Sequence, residues 1–175
     1  LSKIGASLPE PPILAIEEVG GKLDPLRAFF SPLPSPRALA RKGLAAVTRM
    51  GELVGAGLKL LGFNAVLAPR LDLSAAGSND SGMFSAVPRA VADCGGALLD
   101  GLERHKILAC GKYFPGLGSA EVDPHSSMPL VGKTMVELWR EDLVPYRELL
   151  PRLPLIMVGH GAYKAYDFDL PRPAT

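Results

Sequence analysis

Four short apolar runs, each followed closely by a side chain able to do acid–base or hydrogen-bonding chemistry, constrain this chain most. The runs are residues 13–16 ending in Glu17, 66–68 leading to Asp72, 107–110 leading to Lys112, and Leu155–Val158 leading to His160. Unbroken apolar runs this short predict strands buried on both faces, the mark of parallel sheets. Helical patterns fill the intervals. Residues 37–61 place Leu39, Leu44, Val47, Met50, Val54, Leu58 and Leu61 on helical spacings, and Gly62 supplies a stop. Pro88 opens a second predicted helix running to about His105. A third is predicted from Thr134 to Leu150, with Pro145 expected to kink or divide it. Strand and helix in alternation predict βαβ units and a parallel sheet, whose ligands bind at the carboxyl ends of the strands.

The expected strands are residues 12–17, 64–68, 107–111 and 155–158. Their spacing exceeds a minimal βαβ unit of about 30 residues. The surplus falls in two polar loops, 74–81 and 113–128. A closed eight-stranded barrel needs about 250 residues, so 175 residues with four clear strands leave open sheet edges.

With 47% hydrophobic and 21% charged residues, the chain can bury a core as one globular domain over 1–175. A net charge of +1 provides no electrostatic footprint for nucleic acid or an anionic membrane. No apolar stretch approaches a membrane span. Cys94 and Cys110 form no CxxC motif and are read as buried thiols, which suits a reducing compartment and tilts the expected location towards the cytoplasm. The three histidines have no metal-ligand spacing, so neither a metal nor a cofactor is expected. Oligomeric state leaves no trace in the sequence.

Lys112 is either a donor to a bound ligand at a strand end or a lysine reaching solvent from a loop. The run Pro115-Gly116-Leu117-Gly118 could present amides to an anion, but reads better as a structural turn. A phosphate-binding sheet protein is accordingly a distant reading. In Asp123-Pro124-His125, the proline pushes Asp123 towards extended geometry, where positions i and i+2 share a side. Asp123 could then fix the His125 tautomer and make it an acid or base near neutrality. The alternative is a solvated loop histidine beside a turn-forming Asp. His160 is either a strand-end site residue or a satisfied core histidine. Asp72 and Glu17 could equally cap neighbouring helices.

Read in order, these segments resemble glycoside hydrolase family 3, closest to its bacterial β-N-acetylglucosaminidase branch. The family pattern D-Q-E-G-G-R has its counterpart in Glu17-Glu18-Val19-Gly20-Gly21-Lys22, and L-P-S-P in Leu33-Pro34-Ser35-Pro36. F-A-P-V-L-D is matched by Leu67-Ala68-Pro69-Arg70-Leu71-Asp72, and the N-R-A-F aromatic by Phe84. K-H-F-P-G-H-G is matched by residues 112–118, D-S-H by 123–125, and M-x-A-H by 157–160. The collinear order is more telling than any single motif.

The resemblance implies part of a TIM (β/α)8 barrel with parallel strands, truncated at both ends, and retaining hydrolysis of terminal β-linked sugars. The β-N-acetylhexosaminidase and β-glucosidase types are both open. It implies His125 as general acid/base with Asp123 orienting it, and a carbohydrate substrate held by Lys112, Asp72, His160, Glu17 and Tyr113. The nucleophilic Asp is expected beyond Thr175, so residues 1–175 alone are not expected to cleave aryl β-glycosides. Several positions depart from the family: Glu17 for Asp, Lys22 for Arg, Gly82 near the missing Arg, and Tyr113 and Leu117 for two histidines. Lysine lacks the guanidinium fork, which puts N-acetylglucosamine specificity in question. These departures also motivate an alternative, a non-catalytic carbohydrate-binding or scaffold protein derived from the same barrel.

Overall fold

The computed structural model describes residues 12–22, 24–29, 31–75, 82–120 and 128–166. Four parallel strands carry it: β1 (Ala15–Ile16), β2 (Ala65–Val66), β3 (Leu108–Phe114) and, later in the chain, β5 (Leu155–Val158). They lie in the order β1-β2-β3-β5, with Ala15 opposite Ala65, Ala65 opposite Leu108, and Cys110 opposite Leu155. The order follows the chain without reversal. A doubly wound sheet would turn back at a switch point, whereas a barrel wall progresses one way. A small second sheet pairs β4 (Leu130–Val131) with β6 (Ala162–Tyr163), also in parallel.

Helices α1 (Pro36–Lys42) and α2 (Leu44–Leu61) connect β1 to β2, and α3 (Pro88–Glu103) connects β2 to β3. Helices α4 (Met135–Arg140) and α5 (Leu143–Leu149) precede β5. The stripe Val47, Met50, Val54 and Leu58 of α2 is buried against the sheet and α3, where Val91, Leu99 and Leu102 are buried in turn. The two helices cross at backbone contact. A Cβ on Gly51 would stand 2.4 Å from the Leu98 carbonyl oxygen, and one on Gly101 would stand 2.3 Å from that of Thr48. Only glycine permits so close a crossing.

The helix expected over 37–61 is two helices. Gly43, at φ +97°, breaks the run and serves as the N-cap of α2. The helix from Thr134 begins as expected, with a reciprocal capping box to Glu137. It divides at Glu141 and Asp142, however, not at Pro145. Asp142 is buried and ion-paired to Lys133, while Pro145 sits in the first turn of α5, where its missing N–H is not needed. Strand β3 runs on through Lys112, Tyr113 and Phe114 because Lys112 pairs with Met157 and Phe114 with Val158. The first two strands are shorter than expected. Parallel pairing nevertheless continues past β2, through the bridge between Arg70 and Lys112. Strands β4 and β6 carry two residues each, too few to leave a periodic signal.

Candidate active site

The carboxyl ends of the parallel strands bring the chemistry together. Glu17 follows β1, Arg70 and Asp72 follow β2, Lys112 and Tyr113 end β3, and His160 follows β5. Lys112 is 1% exposed, so it is not a lysine reaching solvent. Its ammonium pairs with Glu17 Oε1 and lies 4.6 Å from the centroid of the Tyr113 ring. Glu17 keeps 39% of its side chain open to solvent and gives this buried cation an accessible partner. It caps no helix.

Tyr113 has φ +72°, a conformation uncommon outside glycine that costs about 1–3 kcal/mol and clusters at functional sites. The strand bulges there, between Lys112 and Phe114. The Arg70 guanidinium carbon also approaches the Tyr113 ring, at 5.2 Å.

Asp72 is equally buried and fully committed. Its Oδ2 accepts from Arg70 Nε at 2.8 Å, and its Oδ1 accepts from the Leu117 amide at 2.7 Å. Burial pushes its carboxyl up from the ordinary range, while Arg70 pulls it back down. Of its two readings, helix cap or site residue, Asp72 takes the second, as a brace between β2 and the turn after β3. The Gly116 amide donates to the Tyr113 carbonyl at 2.7 Å. With the Leu117 amide on Asp72, the run 115–118 is the structural turn favoured over an anion cradle. Two buried tyrosines clamp it from outside: Tyr146 donates to the Lys112 carbonyl at 2.6 Å, and Tyr163 to the Gly116 carbonyl at 2.9 Å. Gly118 packs on the chain after β2, since a Cβ there would stand 1.8 Å from the Leu73 oxygen. Leu117 is a core residue packed under Gly159 and Gly161, a place suited to a hydrocarbon side chain.

His160 is exposed, not a satisfied core histidine, and stands beside this turn, because the Gly159 amide donates to the Phe114 carbonyl at 2.6 Å. Glu17, Asp72, Lys112 and Tyr113 thus form one linked group, with His160 at the same end of the sheet. Asp123 and His125 lie outside the described residues, as do residues 76–81 of the preceding loop. Both cysteines are buried thiols, as expected. Among the described residues no group of three His, Cys, Asp or Glu stands close enough to hold a metal ion.

Arg70 was missed by sequence reasoning. It lies two residues before Asp72 in extended chain, the spacing that puts two side chains on one side, so a signal existed. Tyr146, Tyr163 and Asp142 left none, since each reaches the site across the fold.

Polar side chains gathered at the carboxyl ends of consecutive parallel strands define the layout of the α/β-barrel class. The family model "Glycosyl hydrolase family 3 N terminal domain" matches residues 3–175. The chain belongs to glycoside hydrolase family 3. It is 35% identical to a Bordetella avium protein named "Beta-hexosaminidase", over 94% of this chain and 50% of that protein. A Pseudomonas aeruginosa protein of the same name is 34% identical over 93% of this chain and 49% of its own. Among solved structures, NagZ from Neisseria gonorrhoeae in complex with N-trifluoroacetyl-D-glucosamine superposes with a TM-score of 0.90 at 29% identity, covering 99% of this chain and 53% of that one. CbsA from Thermotoga neapolitana superposes with a TM-score of 0.82 at 33% identity, covering 91% of this chain and 34% of that one. The chain spans about half the length of the curated relatives it matches.

Proposed function

We propose that this chain supplies much of the sugar-binding site of a retaining glycosidase that removes terminal β-linked residues, N-acetylhexosamine being the type its named relatives favour. The observation that carries the reading is Lys112: a buried ammonium at a strand end, paired to the half-open Glu17 carboxylate and set against an aromatic ring. An ammonium and a carboxylate side by side offer a donor and an acceptor to neighbouring sugar hydroxyls. The Tyr113 ring offers an apolar face to the pyranose. Asp72 supports the site from below, with both oxygens occupied, and is thereby unavailable as a nucleophile. His160 contributes to the floor.

His125, oriented by Asp123, protonates the leaving oxygen and then activates water for deglycosylation, as microscopic reversibility requires of a retaining enzyme. The test uses the protein that carries this chain, offered aryl β-N-acetylglucosaminide and aryl β-glucoside side by side. Turnover of the first is expected to exceed that of the second, and His125→Ala to reduce it by about 10²–10⁴-fold. Failure to bind or turn over either sugar overturns the reading.

A further inference from the structure

The turn after β1, which delivers Glu17 to Lys112, is held by two buried acids with no described role. Glu18 is 2% exposed and Asp24 is 6% exposed. Glu18 accepts from the Gly20 amide at 2.9 Å and from the Leu26 amide at 3.3 Å, while Asp24 Oδ2 accepts from the Leu33 amide at 2.8 Å. The two acids hold the same turn from its two ends, and Asp24 is near enough for its charge to act on the Glu18 carboxyl. Asp24 Oδ1 is buried with no donor among the described residues, and a buried acceptor without one is costly. If both acids were ionised, two like charges would face each other in a place sealed from water.

We propose that Glu18 is protonated in the folded chain and donates a hydrogen bond to Asp24 Oδ1, locking the turn after β1 and so positioning Glu17 against Lys112. One proton then removes the orphaned acceptor and the like-charge contact together. The family motif carries Gln at this place, and a primary amide is the non-titrating counterpart of a protonated carboxyl. The inference goes beyond the glycosidase reading and stands without it.

The surroundings of Glu18 suit a neutral group. Across the small cavity that it lines stand Leu33 and Pro36, Leu39 of α1, Met50 and Val54 of α2, Phe84, and Leu98 of α3. Among the described residues, the titratable or charged groups facing it are Asp24 on its own turn and Arg70 on the far wall, whose Nε is bonded to Asp72. Burial raises the Glu18 carboxyl from 4.5 to about 7, and Asp24 adds to the rise against two backbone amides that oppose it. A carboxyl raised on folding contributes stability below its unfolded value and loses it as pH climbs through the folded one. Stability should therefore fall between pH 4.5 and about 7 and level off above.

Carboxyl carbon NMR of the full chain across that range tests this directly. A Glu18 midpoint near neutrality is expected; a midpoint in the ordinary carboxylate range overturns the proposal. Asp24→Asn replaces the carboxylate with an amide that can donate to ionised Glu18, so the midpoint should drop. An unmoved midpoint would mean that burial alone retains the proton, and would remove Asp24 from the account. Glu18→Gln should match the parent in urea denaturation at pH 5 and exceed it at pH 8, with the pH slope flattened. An unchanged slope counts against the proposal. The Lys112 ammonium resonance should follow the Glu18 midpoint in the parent and lose that step in Glu18→Gln. A resonance indifferent to Glu18 overturns the positioning of Glu17, and the wild-type titration decides the protonation state even if a variant fails to fold.

Discussion

Two charges that are each 1% exposed stand on either side of the site, Asp72 in the turn beneath it and Lys112 in the mouth above. Below, every oxygen of Asp72 is bonded to protein, and tyrosines from α5 and β6 tie down the neighbouring carbonyls. Above, Lys112 has a carboxylate partner that is 39% open to solvent and a strained aromatic neighbour. Equal burial thus serves opposite ends. One charge is consumed in fixing the backbone, and the other is held dry with its partner facing outward, where a ligand can join the pair.

The severest test of that contrast is Asp72→Ala, which removes the carboxylate that accepts from Arg70 Nε and from the Leu117 amide. Breaking a buried pair from one side is expected to cost about 3–5 kcal/mol, read as a lowered urea midpoint. A cost below about 1 kcal/mol would erase the distinction between brace and mouth. Next in size, Glu17→Ala removes the carboxylate partner of the buried Lys112 ammonium and should cost about 2–3 kcal/mol. The reverse change, Lys112→Met, leaves Glu17 to water and should cost less than about 1.5 kcal/mol. In the protein that carries the chain, the same change should reduce sugar turnover by about 10²-fold. If Lys112→Met instead destabilises as much as Asp72→Ala, the lysine belongs to the scaffold.

Gly118→Ala probes the seam between the loops. Its methyl would meet the Leu73 oxygen, and about 1–3 kcal/mol of thermal stability should be lost as the turn shifts. The smallest effect is Tyr163→Phe, which removes one bond to the Gly116 carbonyl and should cost about 1 kcal/mol in denaturant titration. No measurable change there would show that Asp72 and Tyr146 hold the turn without Tyr163.

The parallel strands and their polar ends were legible because a strand buried on both faces writes itself as an unbroken apolar run. Leu155–Val158 matches its expected span residue for residue. Element boundaries were less so. Gly43 hides inside a helical pattern, since the apolar spacing of α1 continues into α2, and only the backbone angle separates them. Pro145 drew attention as a breaker, yet the break lies where Lys133 draws Glu141 and Asp142 into ion pairs, a contact between segments that no local pattern encodes. In the site, Glu17, Lys112 and Tyr113 were found through their place after strands and the family resemblance. Their mutual contacts, and the bracing role of Asp72, came from the fold. Arg70 was overlooked because a charge inside an apolar stretch reads as an interruption, not as a partner for Asp72.

The glycine crossing of α2 and α3 has a consequence at the carboxyl ends of the strands. These helices deliver the chain into β2 and β3, so their backbone-to-backbone seat acts as a calliper on the gap between the strand ends bearing Asp72 and Lys112. A single methyl wedged into that seat, far from any sugar, should open the calliper and loosen the grip of the site without altering one of its side chains.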